Sequence, residues 1–201
     1  MTERTTPTAK VSAEDVLLRP VEPSDIPLFF THASDREALR VAAFAPAPPA
    51  DLKAYRARWS RLLSSADTLV RTVVHDGNVV GHLISFPRLG RREVGGWFAR
   101  ASWGRGIATS ALRSFLVLDR TRPLHARAAA DNLGALRVLG RCGFRLQAIA
   151  GLLGAVRRAE GPALCWRLER CSVRSDDSAT ERLCGDWARL PTASEASGGR
   201  P

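Results

Sequence analysis

Residues 93–108 read Glu-Val-Gly-Gly-Trp-Phe-Ala-Arg-Ala-Ser-Trp-Gly-Arg-Gly-Ile-Ala. A strand-like run from Glu93 to Phe98 passes into a short glycine turn. A helix follows over about 104–117, with Ile107, Ala111, Leu112, Phe115 and Leu116 recurring at helical spacing. Strand, glycine turn and helix N-terminus together direct backbone N–H groups at one point, with the positive end of the helix dipole behind them. That geometry suits a phosphate. Such a unit must pack a helix on a sheet, and it marks a phosphate-bearing ligand. The two commoner phosphate cradles, a GxGxxG fingerprint and a Walker A sequence, are absent.

At 201 residues the chain suffices for one domain with a sizeable core. Residues 1–12 are polar and read as a disordered arm, 13–170 as one domain, and 171–201 as a mostly disordered polar tail. No apolar run reaches the ~18 residues of a membrane span. The opening Met-Thr-Glu-Arg-Thr-Thr-Pro lacks the apolar core of a signal peptide, so a cytoplasmic setting is expected. Cys142, Cys165, Cys171 and Cys184 show neither metal-ligand spacing nor CxxC, and no metal is expected.

Net charge is +10, and residues 88–145 hold twelve arginines against Glu93, Asp119 and Asp131. The excess therefore gathers around the glycine turn and the segment after it. It suits a small phosphorylated ligand or nucleic acid. The dominance of Arg over Lys (only Lys10 and Lys53) also fits a simple compositional bias.

Val16–Pro20 reads as a first strand. A helix follows Pro23, with Ser24 or Asp25 as its N-cap. Prolines at 46, 48 and 49 make 43–50 a loop, and Asp51 caps the next helix, where Leu52, Tyr55, Trp59, Leu62 and Leu63 share a face. Thr68–His75 and Val79–Phe86 form a hairpin through Asp76-Gly77-Asn78. Pro123–Ala130 is a strand, and Asp131-Asn132 caps a helix burying Leu133, Leu136 and Leu139 that ends at Gly143. Phe144–Leu152 and Pro162–Leu168 close the series, β-α-α-β-β-β-α-β-α-β-β. The order predicts a single α/β domain on a mixed sheet.

The turn Trp103-Gly-Arg-Gly-Ile-Ala108 and the block from Leu124 through Asp131-Asn132 to Gly143-Phe144 resemble the GNAT superfamily of acyl-CoA-dependent N-acetyltransferases, nearest its Rim branch. The resemblance spans roughly residues 14–169. It implies a central, mixed and mostly antiparallel sheet with splayed parallel strands, flanked by about four helices. It also implies acetyl-CoA as co-substrate, a primary amine as acceptor, and direct acetyl transfer without a covalent acyl-enzyme.

Carried onto this sequence, the family turn falls on Trp103, Gly106 and Ala108, with backbone N–H groups of Gly104, Arg105, Gly106, Ile107 and Ala108 cradling the CoA pyrophosphate. Arg100 and Arg105 add charge beside it. Phe98 stands where the fourth strand pairs with the pantetheine arm. Asn132 takes the family asparagine's place near the sulfur, although a helix N-cap would look the same. Glu93 matches the glutamate of the family's Glu-x-Gly-Tyr-Trp segment and is the candidate general base; pairing with Arg91 or Arg92 is its structural alternative. Chemistry requires such a base because the amine arrives as an ammonium. The resemblance fails on the acid side. The expected hydroxyls are replaced by Gly96 and Ala135, and the sole tyrosine, Tyr55, lies far upstream. Water, Ser102 or Cys142 remains as proton donor.

The acceptor wall is expected over 26–63 and the 152–161 turn, where Arg36, Arg40, Arg56, Arg58 and Arg61 disfavour a strongly cationic substrate. Partners implied are a small-molecule amine or a protein N-terminus, without a membrane, in a monomer or homodimer. A CoA-binding sensor and an RNA-associated basic protein are the alternatives.

Overall fold

Local sequence sets most element boundaries in the computed structural model, which describes residues 16–42, 51–150 and 163–169. The expected arm at 1–12, proline loop at 43–50, 152–161 turn and tail at 171–201 lie outside them. Strands β2 (Leu69–His75) and β3 (Asn78–Arg88) form a hairpin. Asp76 and Gly77 take φ of 51° and 72°, the twist a two-residue hairpin turn needs. β3 turns again into β4 (Arg91–Phe98), while β1 (Val16–Arg19) lies antiparallel on the outer side of β2. β5 (Leu124–Ala129), β6 (Arg145–Ala150) and β7 (Ala163–Leu168) complete a seven-stranded sheet of order β1-β2-β3-β4-β5-β7-β6. All pairs are antiparallel except β4 with β5.

Five helices flank the sheet among the described residues. α1 (Asp25–Ala33) and α2 (Arg36–Val41) stand where the sequence suggests one helix, and α3 (Leu52–Leu63) follows. The break comes at Asp35, whose backbone is extended and whose carboxylate accepts the Ala38 N–H at 2.9 Å. A side-chain oxygen that satisfies a helix-start amide favours ending one helix and beginning another. Asp51 caps α3 in the same way, accepting Ala54 N–H at 2.7 Å.

At the start of α1 the expected cap is corrected. Ser24 makes no side-chain cap bond. Asp25 turns inward instead, with two 2.7 Å bonds from the Arg19 guanidinium, one of 2.7 Å from Thr72 and one of 2.9 Å from Glu22 N–H. A half-buried guanidinium and a buried hydroxyl outcompete the helix amides for the carboxylate.

α4 (Ile107–Leu118) and α5 (Leu133–Arg141) pack on one sheet face, where Ile107, Phe115, Leu124, Phe144 and Trp166 form the main core. α1 and α3 pack on the other face, where Ile26, Phe29, Tyr55, Trp59 and Val70 form a second cluster. α5 ends as expected: Gly143 has φ 85°, and Phe144 N–H reaches the Leu139 carbonyl at 3.1 Å.

Asp119, at the end of α4, fastens that helix to the sheet. Its buried carboxylate accepts from Ser85 of β3, from Arg92 Nε of β4 at 2.9 Å and from Thr121 N–H at 2.9 Å. Burial alone would raise its pKa, but these bonds bring it from 3.8 down to about 2. A depressed folded-state pKa stabilises the fold above the unfolded value, and that stability is lost as pH falls through the folded one. Asp119→Asn is therefore expected to cost about 2 kcal/mol at pH 7. The deficit should shrink between pH 4 and pH 2 in denaturant titrations of both proteins; a constant deficit would show that the ion pair does not stabilise the fold.

Candidate functional site

The parallel pair β4/β5 holds together for only two rungs, Arg92↔Leu124 and Glu93↔His125. Past them β4 stays with β3 as far as Phe98, and β5 stays with β7 as far as Ala129. The two strands thus splay. Ala99 N–H donates to Val80 O at 2.8 Å, which turns the odd β4 residues toward β3. By alternation, the backbone polar groups of Gly96 and Phe98 aim into the split. The Phe98 carbonyl accepts Trp103 Nε1 at 3.0 Å, so Phe98 offers its N–H.

The glycines here serve different ends. A Cβ on Gly96 would lie 2.7 Å from Leu83 Cδ2 and 2.8 Å from the His82 carbonyl, so β3 leaves no room for a side chain. The hydroxyl-bearing tyrosine expected at this position is sterically excluded from this backbone. A Cβ on Gly95 would meet nothing within 4 Å, which leaves open space beside Glu93 on the opposite face.

Beyond Phe98 a short 3-10 turn (Arg100–Ser102) leads to Gly104 and Gly106, at φ 73° and 84°. These left-handed conformations are cheap only for glycine. Gly106 caps α4 without a side chain. Among the described residues, the N–H groups of Gly104, Arg105, Gly106, Ile107 and Ala108 have no acceptor, and the first hydrogen bonds of the helix are Thr109 and Ser110 N–H to Gly106 O. Ile107 is fully buried and anchors the turn to the core. Five consecutive unpaired donors at the head of a twelve-residue helix fit a pyrophosphate.

The other candidates are more committed. Arg105 leans 3.8 Å from Asp76, Arg100 Nε lies 3.3 Å from Asp35, and both guanidiniums remain solvent-facing. Asn132 Oδ1 caps α5 through Ala135 N–H at 3.0 Å, and its Nδ2 donates to the Val41 carbonyl at 3.2 Å. Its amide ties α5 to the end of α2, the helix-cap arrangement weighed from sequence.

Glu93 is buried on the α1/α3 face of the sheet. Its ion pairs are with Arg127 Nε at 3.1 Å and Arg88 at 3.5 Å, not with Arg91 or Arg92. Arg127 reaches Glu93 from β5 at the closed end of the split. Its position was readable: Leu-His-Ala-Arg-Ala alternates, putting His125 and Arg127 opposite the core face. His82, opposite Trp97, is packed between Phe29 and Trp59 at centroid distances of 4.7 and 4.9 Å. Burial and the charges of His32 and Arg58 push its pKa down to about 3, so it stays neutral and cannot take a proton from an ammonium at neutral pH. Of the suggested proton donors, Ser102 Oγ already donates to Ala99 O at 2.6 Å, and Cys142 is buried against Thr109. In the expected wall, Arg40 is bound by Glu37.

A family profile described as an acetyltransferase (GNAT) domain matches residues 15–145, well over half the chain. The chain belongs to the GNAT acetyltransferase family, and it is an N-acetyltransferase. Among curated proteins none matches. Among solved structures, Mycobacterium smegmatis RimJ in complex with CoA-disulfide aligns with TM-score 0.65 and 22% identity, over 85% of this chain and 89% of RimJ. Vibrio cholerae spermidine N-acetyltransferase, in complex with CoA and spermine, aligns at 0.67 and 14% identity over 78% and 96%. AAC(6')-Ib, in complex with ribostamycin and coenzyme A, aligns at 0.63 and 19% over 78% and 94%. At these identities the likeness is one of fold.

Gly106→Glu places a charged side chain at the helix head and forces a non-glycine residue to φ 84°. CoA affinity by calorimetry should fall at least about 100-fold, the loss of two or more charge-assisted bonds, with the circular dichroism spectrum retained. Unchanged affinity would assign the turn a purely structural role.

Proposed function

We propose that this GNAT protein moves the acetyl group of acetyl-CoA to a primary amine, either a protein N-terminus, an amino acid or another small amine, by direct attack in a ternary complex. The observation that carries this reading is the continuity of the β4/β5 split with the unpaired amides at 104–108. Together they offer backbone groups suited to a strand-like arm at one end and to a pyrophosphate at the other. The CoA-bound neighbours support the same co-substrate. When bound, acetyl-CoA supplies an activated thioester. Gly104, Arg105, Gly106, Ile107 and Ala108 hold the phosphates, with Arg100, Arg105 and the ring of Trp103 at the rim. Phe98 N–H and the Gly96 backbone line the split, and Asn132 fixes its α5 end.

In the proposal Glu93 receives the proton of the incoming ammonium, using an oxygen that faces the open space at Gly95. Arg127 and Arg88 hold the carboxylate in place. No side-chain hydroxyl is required to relay the second proton, and solvent at the mouth of the split takes that part. The described helices include none long and apolar enough to cross a membrane. A cytoplasmic location, with the activity carried by residues 13–170, completes the proposal.

A second reading, a CoA-binding sensor with little turnover, draws on the occupied Ser102 hydroxyl and the buried Cys142 thiol. Isotopic acetyl transfer across a panel of amines, beside CoA-induced thermal stabilisation, separates the two. Stabilisation without transfer to any amine selects the sensor.

Glu93→Gln keeps an oxygen for Arg127 but removes the base. The rate at pH 7 is expected to fall by about 100-fold or more. The gap should narrow as pH rises toward the pKa of the acceptor amine, where the substrate deprotonates itself. A pH–rate profile parallel to that of the wild type would remove Glu93 from the base role.

A further inference from the structure

The sheet face that carries Glu93 is covered unevenly. The apolar cluster under α1 and α3 draws on β2 and β3, through Val70, Val79 and Ile84. Past β4 the same face bears charge. Register aligns Glu93 with His125, His125 with Arg167, and Arg167 with Arg145, a row that runs straight across β4, β5, β7 and β6. Alternation puts Arg88, Arg91 and Arg127 on this face as well. Leu124, Ala126, Trp166 and Leu168, the alternate residues, belong to the core behind it. Five arginines and one histidine thus share the face with two carboxylates, Glu93 and the Glu169 that pairs with Arg167 at 2.9 Å.

Two further observations give the row a direction. Arg167 Nε is buried and has no hydrogen-bond partner among the described residues, while its guanidinium pairs with Glu169 through Nη2. Arg145 is exposed and makes no ion pair among the described residues, so the positive field continues toward β6. His125 feels that field: burial, then the charges of Arg91 and Arg167, lower its pKa.

Resting on the acetyltransfer reading above, we propose that the acceptor is an extended peptide N-terminus with an acidic side chain at its second or third residue, held by Arg167 and Arg145. Ladder steps of about 4.8 Å put Arg167 roughly 10 Å and Arg145 roughly 14 Å from Glu93 across the sheet. An extended peptide advances about 3.3–3.6 Å per residue. With its amine at Glu93, its second or third side chain therefore reaches the arginine pair. A polyamine would bring its second cation onto the same arginines and be repelled.

The test is steady-state acetyl-CoA turnover on a pentapeptide amide with Glu at positions two and three. It is compared with its Gln and Lys counterparts, spermidine and free glutamate. The Glu peptide should exceed the Gln peptide in kcat/KM by about 10-fold and the Lys peptide by about 100-fold, a preference that weakens with added salt. Arg145→Gln and Arg167→Gln should each raise KM for the Glu peptide several-fold and leave kcat and the Gln peptide unchanged. Arg145, being exposed, keeps the test valid if Arg167→Gln misfolds. Equal or better turnover of the Lys peptide or spermidine overturns this inference while leaving acetyl transfer intact, as does turnover confined to free glutamate. Transfer to no amine at all overturns both.

Discussion

The feature on which the rest depends is the abrupt end of parallel pairing between β4 and β5. Two rungs hold, and then the strands part. The closed end is fixed from both faces. On one face, Arg92 of the first rung is bound to Asp119 and through it to Ser85 and α4. On the other, Glu93 of the second rung is bound to Arg127 of the neighbouring strand. Backbone groups left facing a gap inside a protein need partners. A ligand arm with alternating amide donors and acceptors meets that need as an added strand would. The split is in this sense half of a hydrogen-bonded ladder.

The electrostatics follow from how the acidic residues are spent. Asp25 is consumed by Arg19, Asp119 by Arg92, Asp35 and Asp51 by helix amides, and Glu37 by Arg40. Each of these carboxylates solves a local structural problem. The arginines outnumber them; part of the surplus stands beside the glycine turn, at Arg100 and Arg105, and part on the open face beside Glu93, at Arg91, Arg145 and Arg167. In the proposed reading, the first share faces the phosphate-bearing co-substrate and the second the acceptor.

Local signals made much of this legible beforehand. The Asp76-Gly77 turn, the Asp51 cap, the Gly143 terminus and the glycine turn at 104–106 are each decided by a few adjacent residues, and their chemistry can be read in order along the chain. What escaped was which of several possible partners each polar side chain takes once the elements are packed. Asp25 offered itself as a helix cap because Arg19 and Thr72, which claim it, lie on other elements. Asp35 looked like a helix interior until its bond to Ala38 divided α1 from α2. The alternative reading of Glu93, as a carboxylate paired with Arg91 or Arg92, had the wrong partners: alternation sends Arg92 to the opposite face and brings Arg88 and Arg127 across strands. The period-two pattern of β5 contained that answer; the register that joins it to β4 did not show in the sequence.

The missing hydroxyl also becomes intelligible from packing. β3 and β4 approach so closely at Gly96 that the side chain expected there has no space, with the contact made by Leu83 and the His82 carbonyl. His82 is itself held by Phe29 and Trp59, so the strand cannot easily withdraw. A departing alkyl thiolate has a conjugate-acid pKa of about 8.5. Near neutral pH it therefore needs far less help than an ammonium that must lose its proton before nitrogen can attack. Of the demands made by acetyl transfer, the one left without a dedicated side chain is the least costly. In the proposed mechanism the harder steps draw on what the fold does provide: unpaired amides at the head of α4, an open backbone edge on β4, and a carboxylate held by Arg88 and Arg127.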